Sequence, residues 1–205
     1  MLTFEKKALK NGYHYIAGCD EAGRGPLAGP LVVACVRLNL NHIIEGLNDS
    51  KKLSEKKREA LYDLIIDYAE EYSIKIYDAK TVDQLNVYQA SKQGMIDAAS
   101  ALKNLDYLLT DAMPIRHAKW KVESIIKGDQ KSVSIAAASI LAKVTRDRIM
   151  IDLGRKYQGY GFETHKGYPT KKHLEAIKQK GVLKVHRKTF KPIKGLLEVQ
   201  QSLDF

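Results

Sequence analysis

Hydrophobic and polar positions change period several times along the chain, and each change marks an element. Tyr13 to Cys19 is apolar and partly β-branched, then breaks at Asp20-Glu21-Ala22-Gly23-Arg24-Gly25-Pro26, the pattern of a strand feeding a tight turn. Leu31 to Val36 predicts a second strand at hairpin distance. From Ser54, a predicted N-cap, Leu61, Leu64, Ile65, Tyr68 and Tyr72 recur at three and four residues, which predicts an amphipathic helix. Ile74 and Ile76 then alternate as a short strand. Thr81 to Leu105 reads as one long helix, Tyr107 to Thr110 as an apolar strand closed by Asp111, and Val122 to Ile126 as one more strand. Ser132 to Leu153 is rich in Ala and Ile and predicts a central, largely buried helix. After a Gly- and Tyr-rich loop, Tyr157 to Pro169, Thr170 caps a short helix through Ile177 that Gly181 stops. Early strands with helices following or alternating place the chain in the α/β class.

A length of 205 residues fits one domain, 1–205, with an elaborated end. No repeat and no low-complexity tract breaks it. No apolar stretch approaches the ~18 residues a spanning helix needs, and the opening residues lack the apolar core of a signal peptide; neither secretion nor a membrane is expected. The two cysteines, Cys19 and Cys35, sit in apolar runs and form no C-x-x-C pair, so neither a disulfide framework nor a zinc ribbon is expected, and a reducing cytoplasm fits. Hydrophobic residues at 44%, charged residues at 28% and a mean hydropathy of −0.33 match an ordinary globular protein.

Charge adds a direction. The net charge is +10, and residues 164–205 hold ten Lys or Arg against three acids. A basic face of that kind suits a polyanion such as nucleic acid, although a basic surface with no partner has the same composition. Gly23, Gly25 and Gly29 superficially suggest a phosphate-binding loop. Their spacing is wrong for a dinucleotide site, no P-loop Lys-Ser/Thr follows, and Asp20-Glu21 would repel a pyrophosphate.

The acids carry more. Asp20 closes the first predicted strand and Asp111 closes a later one; if those strands are parallel neighbours, both carboxylates leave the same sheet edge. Asp129 follows Gly128 just before the Ala-rich helix, where a loop can bring it to that edge. Each acid alone is most simply a turn or capping residue. Gathered in a basic protein, they suit a hard cation, Mg²⁺ or Mn²⁺. The six histidines show no H-E-x-x-H, and no G-x-S-x-G elbow accompanies them. His165 stands out because Glu163-Thr164-His165-Lys166-Gly167-Tyr168-Pro169 mixes basic, aromatic and turn-forming groups suited to a sugar-phosphate surface.

Asp20-Glu21-Ala22-Gly23-Arg24-Gly25-Pro26-Leu27-Ala28-Gly29-Pro30 resembles the opening signature of the ribonuclease HII family, the type 2 ribonucleases H. Further matching strings follow in order: Asp49-Ser50-Lys51-Lys52-Leu53-Ser54, Thr110-Asp111, Lys127-Gly128-Asp129, the run from Ser134 to Asp147, and His165-Lys166-Gly167-Tyr168-Pro169-Thr170. The resemblance spans about residues 14–190 and is loose only between Ala112 and Glu123. The HIII type fits less well, with only 19 residues ahead of Asp20.

The resemblance implies a ribonuclease H-like mixed sheet flanked by helices, with a basic helical C-terminal appendage over about 170–205. It implies an endoribonuclease acting on RNA/DNA hybrids and on single ribonucleotides in duplex DNA, cutting 5′ of the RNA–DNA junction to leave 5′-phosphate and 3′-hydroxyl ends. By the same match Asp20, Glu21, Asp111 and Asp129 are the catalytic, metal-binding acids, holding two divalent ions, Mg²⁺ or Mn²⁺. Gly23, Arg24 and Gly25 align with the turn that contacts the 2′-hydroxyl side of the junction, and Tyr168 with the tyrosine that packs on the next deoxyribose. Lys51, Lys143 and Arg146 are the expected phosphate contacts. A monomer in the cytoplasm is expected. A non-catalytic nucleic-acid module would leave the four acids without a use; a resolvase or integrase would share the acids but not the Gly23-Arg24-Gly25 turn with Tyr168. The last residues, Gln200 to Phe205, fit the Q-x-x-L-x-F pattern of peptides that dock on bacterial sliding clamps.

Overall fold

The computed structural model describes residues 1–203, with side chains through Glu198. In chain order its elements are α1 (Thr3–Lys10), β1 (Ile16–Ala22), β2 (Leu31–Leu38), α2 (Glu55–Tyr68), β3 (Ala69–Tyr77), α3 (Ala79–Leu85), α4 (Val87–Ser100), β4 (Tyr107–Asp111), β5 (Lys121–Ile125), α5 (Val133–Lys156), α6 (Phe162–His165), α7 (Lys171–Lys180) and α8 (Ile193–Leu203). They form two compact units. The first contains Met1–Ala22, Val32–Lys75 and Ser91–Val144; the second contains Gly23–Leu31, Ile76–Ala90 and the chain from Thr145 onward. The residues expected as a C-terminal appendage, about 170–205, fall in the second unit together with two earlier segments.

The first unit is built on a mixed five-stranded sheet flanked by helices, in the order β3-β2-β1-β4-β5. β1 pairs antiparallel with β2 and parallel with β4, which is parallel to β5. The central strands are near-continuous apolar runs because both faces are covered; β3, at an edge, alternates toward solvent. Gly18 is where β1 meets α5. A Cβ there would stand 2.2 Å from the backbone of Ser134 and Ile135, so only glycine lets strand and helix approach this closely. Glu5 of α1, fully buried, accepts hydrogen bonds from Ser132 Oγ and the Ser134 amide and so caps α5. The N-terminal helix that supplies this cap has no counterpart in the sequence reading.

The second unit packs Leu27, Ala28, Met150, Tyr160, Phe162, Ala176, Ile177 and Ile193 into one apolar cluster. The long helix expected over 81–105 is instead α3 and α4. They are broken at Asn86, whose φ of 59° leaves the helical region while its side chain accepts from the Tyr88 and Gln89 amides and starts α4. Likewise α2 stops at Tyr68, and Tyr72 lies in β3, because only Leu61 and Ile65 of that helix are buried. Cys19 and Cys35 face each other across the β1–β2 ladder with their Cα atoms 4.2 Å apart and their sulfurs in contact. That is the register of a cross-strand disulfide, where no disulfide framework was expected. Among the described residues no helix is long and apolar enough to cross a membrane. The candidate clamp peptide, Gln200 to Phe205, lies outside the described side chains.

Candidate active site

Three of the four expected acids converge in the first unit. Asp20 sits near the end of β1, Asp111 ends β4, and Asp129 lies in the short 3-10 turn Gly128–Gln130 that leads into α5. Each can place one carboxylate oxygen so that all three lie within 4.8 Å of one another. Asp20 and Asp129 are buried and Asp111 is half-buried. Glu21 is outside this group of three, although its charge acts on Asp20.

The local fold explains the convergence. The β1–β4 ladder pairs Cys19 with Thr110, which puts Asp20 and Asp111 on adjacent strands at the same edge. Asp111 Oδ1 accepts from the Gly128 amide at 2.7 Å, pinning the turn that carries Asp129. Asp20 accepts from the Glu21 amide at 2.7 Å and from Ser139 of α5.

Burial and mutual repulsion set the electrostatics of the three acids. Burial first, then the charges of Glu21 and Asp111, push the Asp20 carboxyl well above its usual range. Burial, then Asp111 and Asp49, push Asp129 up to about 6. Lys51 lies close enough to pull Asp129 partly back. An all-carboxylate donor set, partly desolvated and mutually repelling, fits a divalent hard cation and does not suit a soft metal.

Four residues missed by the sequence reading, Asp49, Ser50, Gln130 and Ser139, support the acids. Asp49 accepts from the Lys51 amide at 2.9 Å and from Gln130 Nε2 at 3.3 Å, tying the 49–51 segment to the Asp129 turn. Ser50 Oγ meets Ser139 Oγ at 2.8 Å, and Ser139 reaches Asp20. Asp49 and Ser50 lie inside a matched string, and nothing in their spacing marks them as supports. Lys51 is exposed; Lys143 is half-buried on α5, one turn beyond Ser139 on the same face.

The second unit holds the expected reading elements. At Gly23, φ is 99° and a Cβ would meet Arg146 Nε at 2.2 Å, so both conformation and space require glycine. A Cβ on Gly25 would lie 3.5 Å from Tyr168 Cε1, which places the half-exposed tyrosine ring directly against the turn. Arg24 is exposed. Arg146 does not match its expected role. It is 1% exposed, and its guanidinium donates to the carbonyls of Pro30, Ala28 and Lys166, which commits it to the inside of the unit. His165 is likewise committed to backbone, to the Tyr160 carbonyl and the Gly167 amide, and does not offer itself to a sugar-phosphate surface.

The family model for ribonuclease HII matches residues 17–193. A ribonuclease HII from Bacillus mycoides is 55% identical over 199 residues, covering 97% of this chain and 77% of the relative. Among solved structures, ribonuclease H2 from Pyrococcus horikoshii aligns with a TM-score of 0.79 at 28% identity, over 92% of this chain and 99% of that one. The ribonuclease HII in a PCNA complex from Archaeoglobus fulgidus aligns at 0.76 and 27%, over 87% and 96%. The fold is accordingly ribonuclease H-like. With the acids gathered on β1, β4 and the turn before α5, the chain belongs to the ribonuclease HII family, metal-dependent endonucleases acting on RNA in RNA/DNA hybrids.

Proposed function

We propose that this protein cuts duplex DNA at single embedded ribonucleotides as well as RNA/DNA hybrids, on the 5′ side of the RNA–DNA junction, leaving 5′-phosphate and 3′-hydroxyl ends. The observation that carries this reading is the Tyr168 ring set against Gly25. A flat apolar ring suits a deoxyribose, which has no 2′-hydroxyl, while close-packed turn backbone suits the ribose before it. In the chain the turn begins three residues after Asp20.

Asp20, Asp111 and Asp129 hold the metal, with Glu21 recruited as the fourth acid. The chemistry supplied by two bound divalent cations, Mg²⁺ or Mn²⁺, is activation of water and neutralisation of charge at the scissile phosphate. Gly23, Arg24 and Gly25 present backbone to the 2′-hydroxyl, Tyr168 orients the following sugar, and Lys51 and Lys143 take phosphates. The protein works as a cytoplasmic monomer in removing misplaced ribonucleotides. Gln200 to Phe205 serves as a sliding-clamp peptide, a reading supported by the pattern itself and by the relative solved with PCNA.

The test is cleavage of a DNA duplex carrying one ribonucleotide, with and without Mg²⁺ or Mn²⁺, with product ends mapped. A single metal-dependent cut 5′ of the junction is expected; cleavage restricted to long hybrids overturns the junction reading.

A further inference from the structure

The loop between α7 and α8 carries two consecutive buried polar residues, His186 at 1% exposure and Arg187 at 0%. Arg187 spends its guanidinium on the glycine-rich turn. Nη2 donates to the Gly23 carbonyl at 2.6 Å, Nη1 to that of Arg24 at 3.0 Å, and Nε and Nη2 to that of Gly29 at 3.2 and 3.1 Å. Its amide donates to the Leu27 carbonyl at 2.8 Å. Burying a guanidinium is costly unless its rigid fork is matched, and here the match is to three carbonyls of the Gly23–Gly29 segment.

His186 works in the other direction. Its Nδ1 accepts from the Leu183 amide at 2.8 Å, so its proton sits on Nε2 and is donated to His173 Nε2 at 3.2 Å. His173 must then carry its own proton on Nδ1, which donates to the Tyr168 carbonyl at 2.9 Å. The chain of donors runs one way, from Leu183 to Tyr168, and holds only while both rings are neutral. His165 stacks on His173 at 4.5 Å and closes the relay from the side.

Two adjacent residues thus hold the two sides of the Gly25–Tyr168 contact, one through the carbonyls of Gly23, Arg24 and Gly29 that flank Gly25 and one through a histidine relay to the Tyr168 carbonyl. We propose that His186 and Arg187 are positioning residues that set the gap between the glycine turn and Tyr168, and so set discrimination of the junction without taking part in bond cleavage. This inference rests on the junction reading above.

The experiment measures kcat and KM on two substrates, a DNA duplex with one ribonucleotide and a long RNA/DNA hybrid, for Arg187→Lys, His186→Asn, His186→Gln and Tyr168→Ala in the full chain. Lysine keeps the charge but cannot reach three carbonyls. Asparagine mimics Nδ1 and loses the donor to His173, whereas glutamine mimics Nε2 and keeps it. Arg187→Lys and His186→Asn are expected to lower the junction-to-hybrid ratio of kcat/KM by on the order of tenfold, with kcat on the hybrid within about twofold of the parent. His186→Gln is expected to retain the ratio. Equal losses on both substrates, or an unchanged ratio in folded Arg187→Lys and His186→Asn, overturn the proposal. If Arg187→Lys fails to fold, the His186 pair decides alone: equal behaviour of Asn and Gln overturns it. A Tyr168→Ala ratio equal to that of the parent removes the junction reading itself; a lowered Tyr168→Ala ratio with unaffected neighbours removes only the positioning role.

Discussion

Asp20 and Asp111 each stand one residue beyond the same rung of the parallel β1–β4 ladder, the Cys19–Thr110 pair. Their separation is thus set by the sheet and not by loops, and the repulsion between them is built into the metal-free protein. Asp111→Asn removes one charge while its amide oxygen can still accept from the Gly128 amide. Metal-dependent cleavage is expected to fall at least about 100-fold. The metal-free melting temperature should hold or rise by a few degrees, about 2–4 °C for each kcal/mol of relieved repulsion. Activity near that of the parent would show that Asp111 is not a ligand.

Gly18→Ala places a methyl group 2.2 Å from backbone atoms of Ser134 and Ile135, neither of which can swing aside as a side chain would. Separating β1 from α5 is expected to cost about 3 kcal/mol or more. Because Asp20 is two residues further along β1, activity per folded molecule should drop as well. Urea unfolding midpoints test the first effect; an unshifted midpoint would mean that strand and helix do not pack this tightly.

Tyr168→Ala should weaken cleavage at a lone ribonucleotide more than cleavage of a long hybrid, since a continuous RNA strand supplies no following deoxyribose. Steady-state kinetics on the two substrates give the comparison. Parallel losses would identify the ring as packing.

His186 gives a pH dependence of definite sign. Burial, then the neighbouring His173, lower its pKa from 6.5 to about 4. The ring is faced by His173 of α7 and the Tyr160 ring, with Arg187 next in the chain. The native state therefore excludes a proton that the unfolded chain binds below pH 6.5. The contribution is complete above that pH and is lost as pH falls toward 4, in total about 3 kcal/mol. Asp129, raised to about 6, acts oppositely in the same range, so the readout is a difference. Between pH 6.5 and 4, His186→Gln should lose less stability than the parent; identical profiles would place the proton elsewhere.

Strands carrying the acids were legible because an apolar run ending in Asp is a local signal, and both Asp20 and Asp111 emerged from it. Asp129 was legible only as an acid in a turn, since its approach to Asp111 depends on β5 and the Gly128 amide. What eluded the sequence were long-range supports. Glu5 caps α5 from 129 residues away, and Arg187 holds Gly23 across 164. Arg146 was misread for a related reason: a basic residue in a basic protein carries no mark telling buried carbonyl donor from phosphate contact. Asn86 split a helix whose apolar spacing runs on unbroken, because a capping side chain overrides periodicity.

The Arg24–Arg187 hydrogen bond closes 163 residues of chain. The second unit is assembled from an early, a middle and a late segment, and the guanidinium that fixes the turn belongs to the late one. During synthesis the Gly23–Gly25 turn leaves the ribosome among the first residues and waits for nearly the whole chain before its carbonyls find their donor. The sheet and the three clustered acids lie wholly before residue 187, so a chain cut short there carries them but lacks the donor that clamps the turn. The clamp proposed to tune junction discrimination is therefore complete only once the late segment has joined the early one.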